Sequence, residues 1–329
     1  MKSSIWIWLI GLLIGLIFLY FALNQINIHA VRLQISQCNF YLFPVLVFGS
    51  VFIQLLRSER WYQTFASNWA LKRCNVYRSF LLGGGASVLL PWRAGDLVRA
   101  GLLVKNHTVI TMGLVLGSML IEKIADFIVI LLLLFSIIYM IDLPYWVNGL
   151  AQTGSLIMFA VIAFVFLLSC GIHAFQNRLH QFGHGLLQKC ACAVSKRLQS
   201  FNTAFRQVAN LKSIYWIFVL SVIIWLSEVA MVQVCMYALG LQVHIAASAL
   251  IVILLAIGSM MPSAPGFVGT YQWFIVTALG LFGIAETPAF AVGVIMNFNL
   301  ILTNTLLCLL ALSIFRSHKS VHNTITTVV

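Results

Sequence analysis

Charged residues are scarce in this sequence, and acidic residues are the scarcest. Lys, Arg, Asp and Glu make up 8% of the 329 residues, with 7 acidic residues against 19 basic ones. Hydrophobic residues account for 62% of the chain, and its mean hydropathy is +1.02. A soluble globular domain has about 25% charged residues. The composition therefore excludes a soluble fold and predicts an all-α polytopic membrane protein.

The sequence also lacks the spacing patterns of disulfide frameworks, metal centres and nucleotide sites. Its 7 cysteines are scattered without disulfide spacing. His180 and His184 with Cys190 and Cys192 do not complete an ordered zinc pattern, and the glycines at 83–85 lack the Lys-Ser/Thr pair of a phosphate loop. No nucleophile and base pair is visible. We therefore predict no catalytic residue, no metal site and no cofactor, and a protein that is not an enzyme.

Long hydrophobic segments are abundant. A membrane span needs about 20 apolar residues, and eight hydrophobic segments approach or exceed this length. Lys2 precedes the first segment, which is long and lacks a cleavage pattern, so we expect a retained anchor. Six segments are continuous, at 5–23, 40–56, 109–141, 152–173, 214–238 and 288–314. The other two, at 79–104 and 246–284, are interrupted.

Proline and glycine interrupt the two remaining segments. Pro91 and Gly95 break the first, and Pro262, Pro265 and Gly266 break the second. Proline removes a backbone donor and glycine relaxes the dihedral angles, so each place predicts a helix end. Broken backbone at membrane depth must be buried in protein or line a cavity. Two such breaks in corresponding halves indicate a transport site.

The distribution of basic residues predicts the topology. Lys and Arg concentrate at 57–107, at 174–213 and in the two tails. By the positive-inside rule these parts, including both termini, are cytoplasmic. The net charge of +12 is thereby accounted for without a nucleic-acid partner. Segment 79–104 must then enter from the cytoplasm and return, and segment 246–284 must do the same from the opposite face.

The predicted architecture is about six full spans and two re-entrant helical hairpins in a single transmembrane domain, 1–329. Span, span, hairpin and span occur in 1–145 and again, with inverted orientation, in 146–315, and a basic cytoplasmic loop occupies 174–213. This order is an inverted-topology repeat. An alternative makes 246–264 and 267–283 two complete spans, and sidedness alone does not distinguish the two arrangements.

The first break carries charged residues. Arg93 and Arg99 flank it, with Asp96 between them. Arginine binds phosphate bidentately, so these residues predict a site for an anionic lipid headgroup. Alternatively, the arginines hold the hairpin at the interface by reaching lipid phosphates, with Asp96 as their internal partner.

The second break and the third span supply other candidates. Gly266, Gly269 and Tyr271 offer backbone and aromatic groups for a sugar or glycerol headgroup. The third span carries a charged trio, which either gates transport or forms an internal ion pair; its members are Glu122, Lys123 and Asp126. Alternatively, residues 108–122 form a separate interfacial helix that would place this trio near the headgroups.

Three motifs resemble those of a known family. They are LLPWRAGDLVRAGLLVKN, SMLIEKIADF and SAPGFVGTYQWFIVTALGLFGI, and they resemble the flippase-like transmembrane region of lysylphosphatidylglycerol synthases over nearly the whole chain. The family elements fall on Pro91, Gly95, Asp96 and Arg99, on Glu122, Lys123 and Asp126, and on Pro265, Gly266 and Gly269. Lys123 stands where the family commonly has arginine. In the last span the family often has a further arginine, and Asn297 and Asn299 lie in that region here.

The resemblance implies lipid translocation in a bacterial cytoplasmic membrane. With no aminoacyl-transferase domain after the last span, we expect a stand-alone member that moves an anionic phospho- or polyprenyl-linked headgroup between the two hairpins. The resemblance implies membrane lipids with anionic headgroups as partners, and it allows an enzyme of envelope lipids as another. The alternative is a non-transporting scaffold that recruits a lipid-modifying or glycosyl-transferring enzyme through the loop 174–213.

Overall fold

A computed structural model describes residues 2–23, 26–65, 71–90, 94–107, 110–141, 145–160, 211–261 and 263–326. Regular structure in these ranges is helical, without strands. The predicted all-α fold class is therefore confirmed. The predicted basic loop 174–213 falls almost wholly outside the described residues, as do Pro91, Arg93 and Pro262.

Eleven helices follow one another in the described ranges. They are α1 (Lys2–Leu23), α2 (Ile28–Ser36), α3 (Phe43–Gln63), α4 (Arg73–Leu89), α5 (Gly95–Asn106), α6 (Met112–Met140), α7 (helical over 145–160), α8 (Leu211–Ala238), α9 (Ile245–Gly258), α10 (Thr270–Gly280) and α11 (Glu286–Thr326). Short 3₁₀ turns at Phe40–Leu42 and Pro265–Phe267 precede α3 and α10.

Three helices of the described part are long and apolar enough to cross a membrane. They are Phe40–Gln63, Lys212–Ala238 and Glu286–Ile314, at the places predicted for spans 40–56, 214–238 and 288–314. Residues Gly11–Leu23 and Ile28–Ser36 would make a fourth span, bent by 83°. These helices support a multi-pass membrane protein.

Helix α3 extends beyond the predicted end of its span at residue 56 and continues to Gln63. Arg57 and Arg60 therefore belong to a helix and not to a cytoplasmic loop, which corrects the sequence-based boundary. The helix continues because both arginines have acidic partners and Trp61 is fully buried. Arg and Glu are also good helix formers.

The first break separates α4 from α5, since α4 ends at Leu89 and α5 begins at Gly95. The two helices pack very closely on each other. A Cβ atom added to Gly95 would lie 2.0 Å from the Gly83 carbonyl oxygen and 2.1 Å from Ser87 Oγ. Only glycine allows this approach, which gives the predicted break a packing role.

The second break separates α9 from α10. These helices have 14 and 11 residues, each short of the roughly 20 that a span needs. The predicted alternative of two complete spans, at 246–264 and 267–283, is therefore wrong in its helix lengths. The helices also pack tightly, because a Cβ on Gly258 would lie 2.2 Å from the Phe274 ring.

Helix α6 runs from Met112 to Met140 without interruption. The predicted alternative of a separate interfacial helix over 108–122 is therefore wrong, since α6 continues through the charged trio. The next predicted span, 152–173, is described only over 152–160, and these residues are helical.

The chain divides into two compact units. The first comprises Met1–Ser58, Cys74–Leu102 and Ile223–Val329. Its core lies around α9 and α10, where the side chains of Leu250, Ile251, Ile275 and Leu279 are fully buried.

The second unit comprises Glu59–Arg73 and Leu103–Val222. Its core includes the fully buried rings of Trp61 and Phe65, whose centroids are 5.7 Å apart in an edge-to-face arrangement. The Trp61 indole also donates a hydrogen bond to Ser118 Oγ at 3.1 Å, so this core joins α3 to α6.

Candidate functional site

An ion pair borders a cavity in the first unit. Arg57 Nη2 donates to Glu228 Oε1 at 2.8 Å, and about a quarter of each side chain is exposed. The cavity measures about 110 Å³, and we call it the ion-pair cavity. Its other walls come from α8, α9, the second break and α11, including Trp225, Ser259, Phe267, Tyr271, Met296 and Leu300. A guanidinium and a carboxylate thus lie beside a space with mostly apolar walls.

A second cavity, of about 40 Å³, adjoins the first. Both are bordered by Glu228, Tyr271, Met296 and Leu300. Its remaining walls are mainly amides and hydroxyls from α3 and α11, and we call it the amide cavity; these residues are Ser50, Gln54, Asn299, Thr303 and Asn304. Such groups both donate and accept hydrogen bonds.

Hydrogen bonds between α3 and α11 order the amide cavity. Gln54 Nε2 donates to Asn304 Oδ1 at 2.8 Å, and Asn299 Nδ2 donates to Ser50 Oγ at 2.7 Å. Each amide nitrogen carries two N–H groups. Asn299 Nδ2 also donates to the Leu46 carbonyl at 3.5 Å, whereas Gln54 Nε2 retains one N–H group for a ligand. Asn299 and Asn304 of α11 therefore face α3.

The second break is held in an uncommon backbone conformation. Gly266, Phe267 and Gly269 have φ values of 70°, 59° and 88°. Asn297 Nδ2 donates to the Gly266 carbonyl at 2.6 Å, so α11 anchors the break. Positive φ at a bulky residue such as Phe267 stores strain, and such strain clusters at functional sites. Phe267 borders the ion-pair cavity.

A separate buried ion-pair group lies in the second unit. Arg60 binds Asp126 through both terminal nitrogens, with Nη2 at 3.1 Å from Oδ2. Its Nε lies 3.7 Å from Glu122 Oε1, and its Nη1 donates to Ser221 Oγ at 2.8 Å. The exposed fractions of Arg60 and Glu122 are 5% and 2%. Three helices, α3, α6 and α8, therefore meet in this group.

Arg60 adds a fourth charged residue to the predicted trio. The Lys123 side chain is exposed, and α3 supplies a buried guanidinium to the two carboxylates. Arg60 follows Arg57 by about one helical turn, and this spacing is compatible with a continuing helix. Because the span was predicted to end at residue 56, both arginines were placed in a loop.

The described charges of the first break pair with each other. Arg99 Nε lies 3.0 Å from Asp96 Oδ1, and Arg99 is 4% exposed. Its guanidinium also lies over the Phe80 ring, 5.0 Å from the centroid. This geometry supports the alternative in which Asp96 is the internal partner of Arg99.

The predicted residues of the second break have different surroundings. Tyr271 borders both cavities, whereas the Gly266 carbonyl is bound by Asn297. Gly269 packs against α1, since an added Cβ would lie 2.1 Å from the Gly15 carbonyl oxygen. Tyr271 is thus placed to contact a ligand, and the two glycines shape the backbone beneath it.

One family description, the lysylphosphatidylglycerol synthase TM region, matches residues 8–311. The chain belongs to this family. The family relates the protein to membrane lipids, and the match includes both breaks, both ion-pair groups and the two cavities. No curated protein and no solved structure matches the chain.

Within this family member, the residues of the two cavities were mostly missed by sequence reasoning. Tyr271 was a candidate from the sequence, but Arg57, Ser50 and Gln54 were not singled out. Their shared signal is spacing, because Ser50, Gln54 and Arg57 recur at four and three residues on α3 and so lie on one face. The partner helices that make this face functional are distant in sequence.

Proposed function

We propose that this membrane protein is a flippase-like transporter that moves lipids with anionic headgroups across a bacterial cytoplasmic membrane, without acting as an enzyme. The observation that carries the proposal is the Arg57–Glu228 ion pair at the border of a cavity. The headgroup would enter this cavity from the bilayer and pass beside the second break.

The chemistry of the pair suits a phosphate. Arginine presents several N–H donors in a planar arrangement that matches phosphate oxygens. A phosphate can replace the Glu228 carboxylate as the partner of Arg57, so the guanidinium remains paired throughout. Because Glu228 also borders the amide cavity, amide and hydroxyl donors can hydrogen-bond the displaced carboxylate. This exchange limits the cost of separating a partly buried pair.

The architecture that best fits this function is the predicted inverted repeat of about six spans and two re-entrant hairpins, with both termini cytoplasmic. The short helices of the second break and the tight α4–α5 packing of the first are consistent with hairpins. Transport sites form where broken helices meet near the bilayer midplane. In this proposal Arg93 attracts the headgroup at the cytoplasmic entry, the Asp96–Arg99 pair holds the first break, and Tyr271 contacts the headgroup.

The trio Glu122, Lys123 and Asp126 was predicted either to gate transport or to form an internal ion pair. The buried group of Arg60, Asp126 and Glu122 supports the internal ion pair. Arg60 and Glu122 are almost fully enclosed, and the bidentate contact of Arg60 with Asp126 fixes its geometry. We infer that it holds α3 and α6 in register while the headgroup moves at the Arg57–Glu228 pair, one turn earlier on α3.

A transport assay in reconstituted vesicles tests this proposal. Wild-type protein should speed the exposure of a fluorescent anionic phospholipid to an impermeant quencher, relative to protein-free vesicles. Arg57→Ala should slow it by roughly 10-fold or more, because charge-assisted hydrogen bonds contribute about 1.5–3 kcal/mol. The matched control is Arg73→Ala, whose side chain is 66% exposed, and its rate should equal that of wild type. Equal rates for Arg57→Ala and wild type would contradict the proposal.

A further inference from the structure

An apolar cavity of about 300 Å³ lies near the start of α3. Its walls include Phe40, Phe43, Leu46, Ala238, Ile295 and Phe298. The rings of Phe43 and Phe298 stack at 6.2 Å between centroids. Phe40 and Phe298 are more than half exposed, so the cavity opens to the surface of a membrane helix. Its volume is at the lower end of the usual range for ligand sites.

This cavity begins a stripe along one face of α3. Successive positions on the stripe are Phe43, Leu46, Ser50, Gln54 and Arg57. At about 100° per residue, these five side chains lie within about 80° of one another. Their character changes in order from apolar, through hydroxyl and amide, to charged.

Helix α11 faces α3 with the apolar and amide parts of the same gradient. The facing pairs are Phe43 with Phe298, Ser50 with Asn299, and Gln54 with Asn304. At the charged end Arg57 meets Glu228 of α8. The apolar cavity, the amide cavity and the ion-pair cavity therefore follow one another between the same helices of the first unit.

The stripe has the dimensions of one lipid. From Phe43 to Arg57 the helix rises about 21 Å, at about 1.5 Å per residue. One leaflet of a bilayer, headgroup included, is about 20–22 Å thick. A glycerol-based phospholipid changes in the same order, from a charged phosphate through hydrogen-bond-accepting ester oxygens to a hydrocarbon chain.

We propose that the stripe binds a whole ester-linked phospholipid, with the end of one acyl chain in the apolar cavity. The phosphate lies at Arg57, and the ester oxygens accept hydrogen bonds from Ser50 and Gln54. The tail therefore enters the protein with its headgroup instead of remaining in the bilayer. This inference rests on the proposed function for the identity of the headgroup site, but it adds a tail site and a binding orientation.

Photo-crosslinking of phosphatidic acid in vesicles tests the orientation. One probe carries a diazirine at the end of an acyl chain, and a second carries it beside the ester. With wild-type protein, mass spectrometry should place the chain-end adducts around Phe43, Leu46 and Phe298, and the ester-side adducts around Ser50 and Gln54. Chain-end adducts spread evenly over the exposed apolar surface would overturn the proposal.

Filling the apolar cavity supplies the matched test. Leu46→Trp should reduce chain-end labelling at Phe298 by about 15-fold if two methylene groups are excluded, at about fourfold for each. The control is Phe48→Trp, because Phe48 lies on the opposite face of α3 and is 73% exposed. Chain-end labelling at Phe298 in this variant should equal that in wild type. Equal labelling of the two variants would overturn the tail site.

A second variant covers the case in which Leu46→Trp does not fold. Phe298→Ala removes a cavity wall at a position that is already 55% exposed, and it should also lower chain-end labelling around Phe43. Unchanged labelling there would overturn the proposal. The crosslink measures binding alone, so the two proposals fail separately. Wild-type protein that is labelled in the cavity but does not move lipid contradicts the transport function and not the tail site. Wild-type protein that moves lipid without labelling in the cavity contradicts the tail site only.

Discussion

Arg57 and Arg60 lie three residues apart on α3, yet their environments assign them different tasks. Arg57 is about a quarter exposed and borders a cavity, whereas Arg60 is nearly enclosed with two carboxylates. A partly exposed pair can exchange its partner for a ligand. A buried pair is difficult to separate, because removing one partner leaves an uncompensated charge.

Arg60→Ala should therefore destabilise the protein far more than Arg57→Ala. We expect a loss of about 3–5 kcal/mol in the free energy of unfolding for Arg60→Ala, against about 1 kcal/mol or less for Arg57→Ala. Both losses can be measured by denaturant titration in mixed micelles, with tryptophan fluorescence as the signal of unfolding. Equal losses would show that the two arginines do not differ in role.

Cys38 reports on the apolar cavity that it borders. Burial raises the pKa of this thiol above its ordinary value of 9.0, so less thiolate is present at any pH below that pKa. Maleimide alkylation of a protein retaining only Cys38 should therefore keep accelerating as the pH rises past 9. The same protein unfolded in SDS provides the control. If the alkylation rate of the native protein levelled off at the same pH as that of the unfolded protein, or at a lower pH, this environment of Cys38 would be contradicted.

At the scale of elements, the two helix breaks could be predicted because proline and glycine act locally. The ends of α4 and α9 at Leu89 and Gly258 agree with this local signal. The end of α3 could not be predicted from hydropathy, since Arg57 and Arg60 resemble loop residues until their acidic partners are known. Those partners, on α6 and α8, are distant in sequence, and so the candidate cavity was missed with them.

The close contact of α4 and α5 makes the first break sensitive to a single methyl group. Gly95→Ala should lower stability by about 1–3 kcal/mol, as expected for overpacking, because its Cβ would collide with the Gly83 carbonyl. Gly101 lies on the same helix with nothing within 4 Å of an added Cβ. Gly101→Ala should be neutral or more stable by about 0.5–1 kcal/mol. Thermal unfolding in detergent compares the two, and a similar change for both would argue against the tight hairpin.

At the scale of the whole molecule, composition and the family agree on a membrane protein related to lipids. The proposed transport function rests on one unit of the chain, in which the ion-pair, amide and apolar cavities follow the same faces of α3 and α11. The second unit contributes a buried ion-pair group that stabilises its own core.

Exchanging the charges of Arg57 and Glu228 tests the central claim most directly. Lipid movement is measured in vesicles containing wild type, Arg57→Glu, Glu228→Arg or the double exchange. Each single change places two like charges together and should abolish movement, and the double exchange should restore part of the wild-type rate because a guanidinium again borders the cavity. Wild-type movement in both single variants would contradict the account.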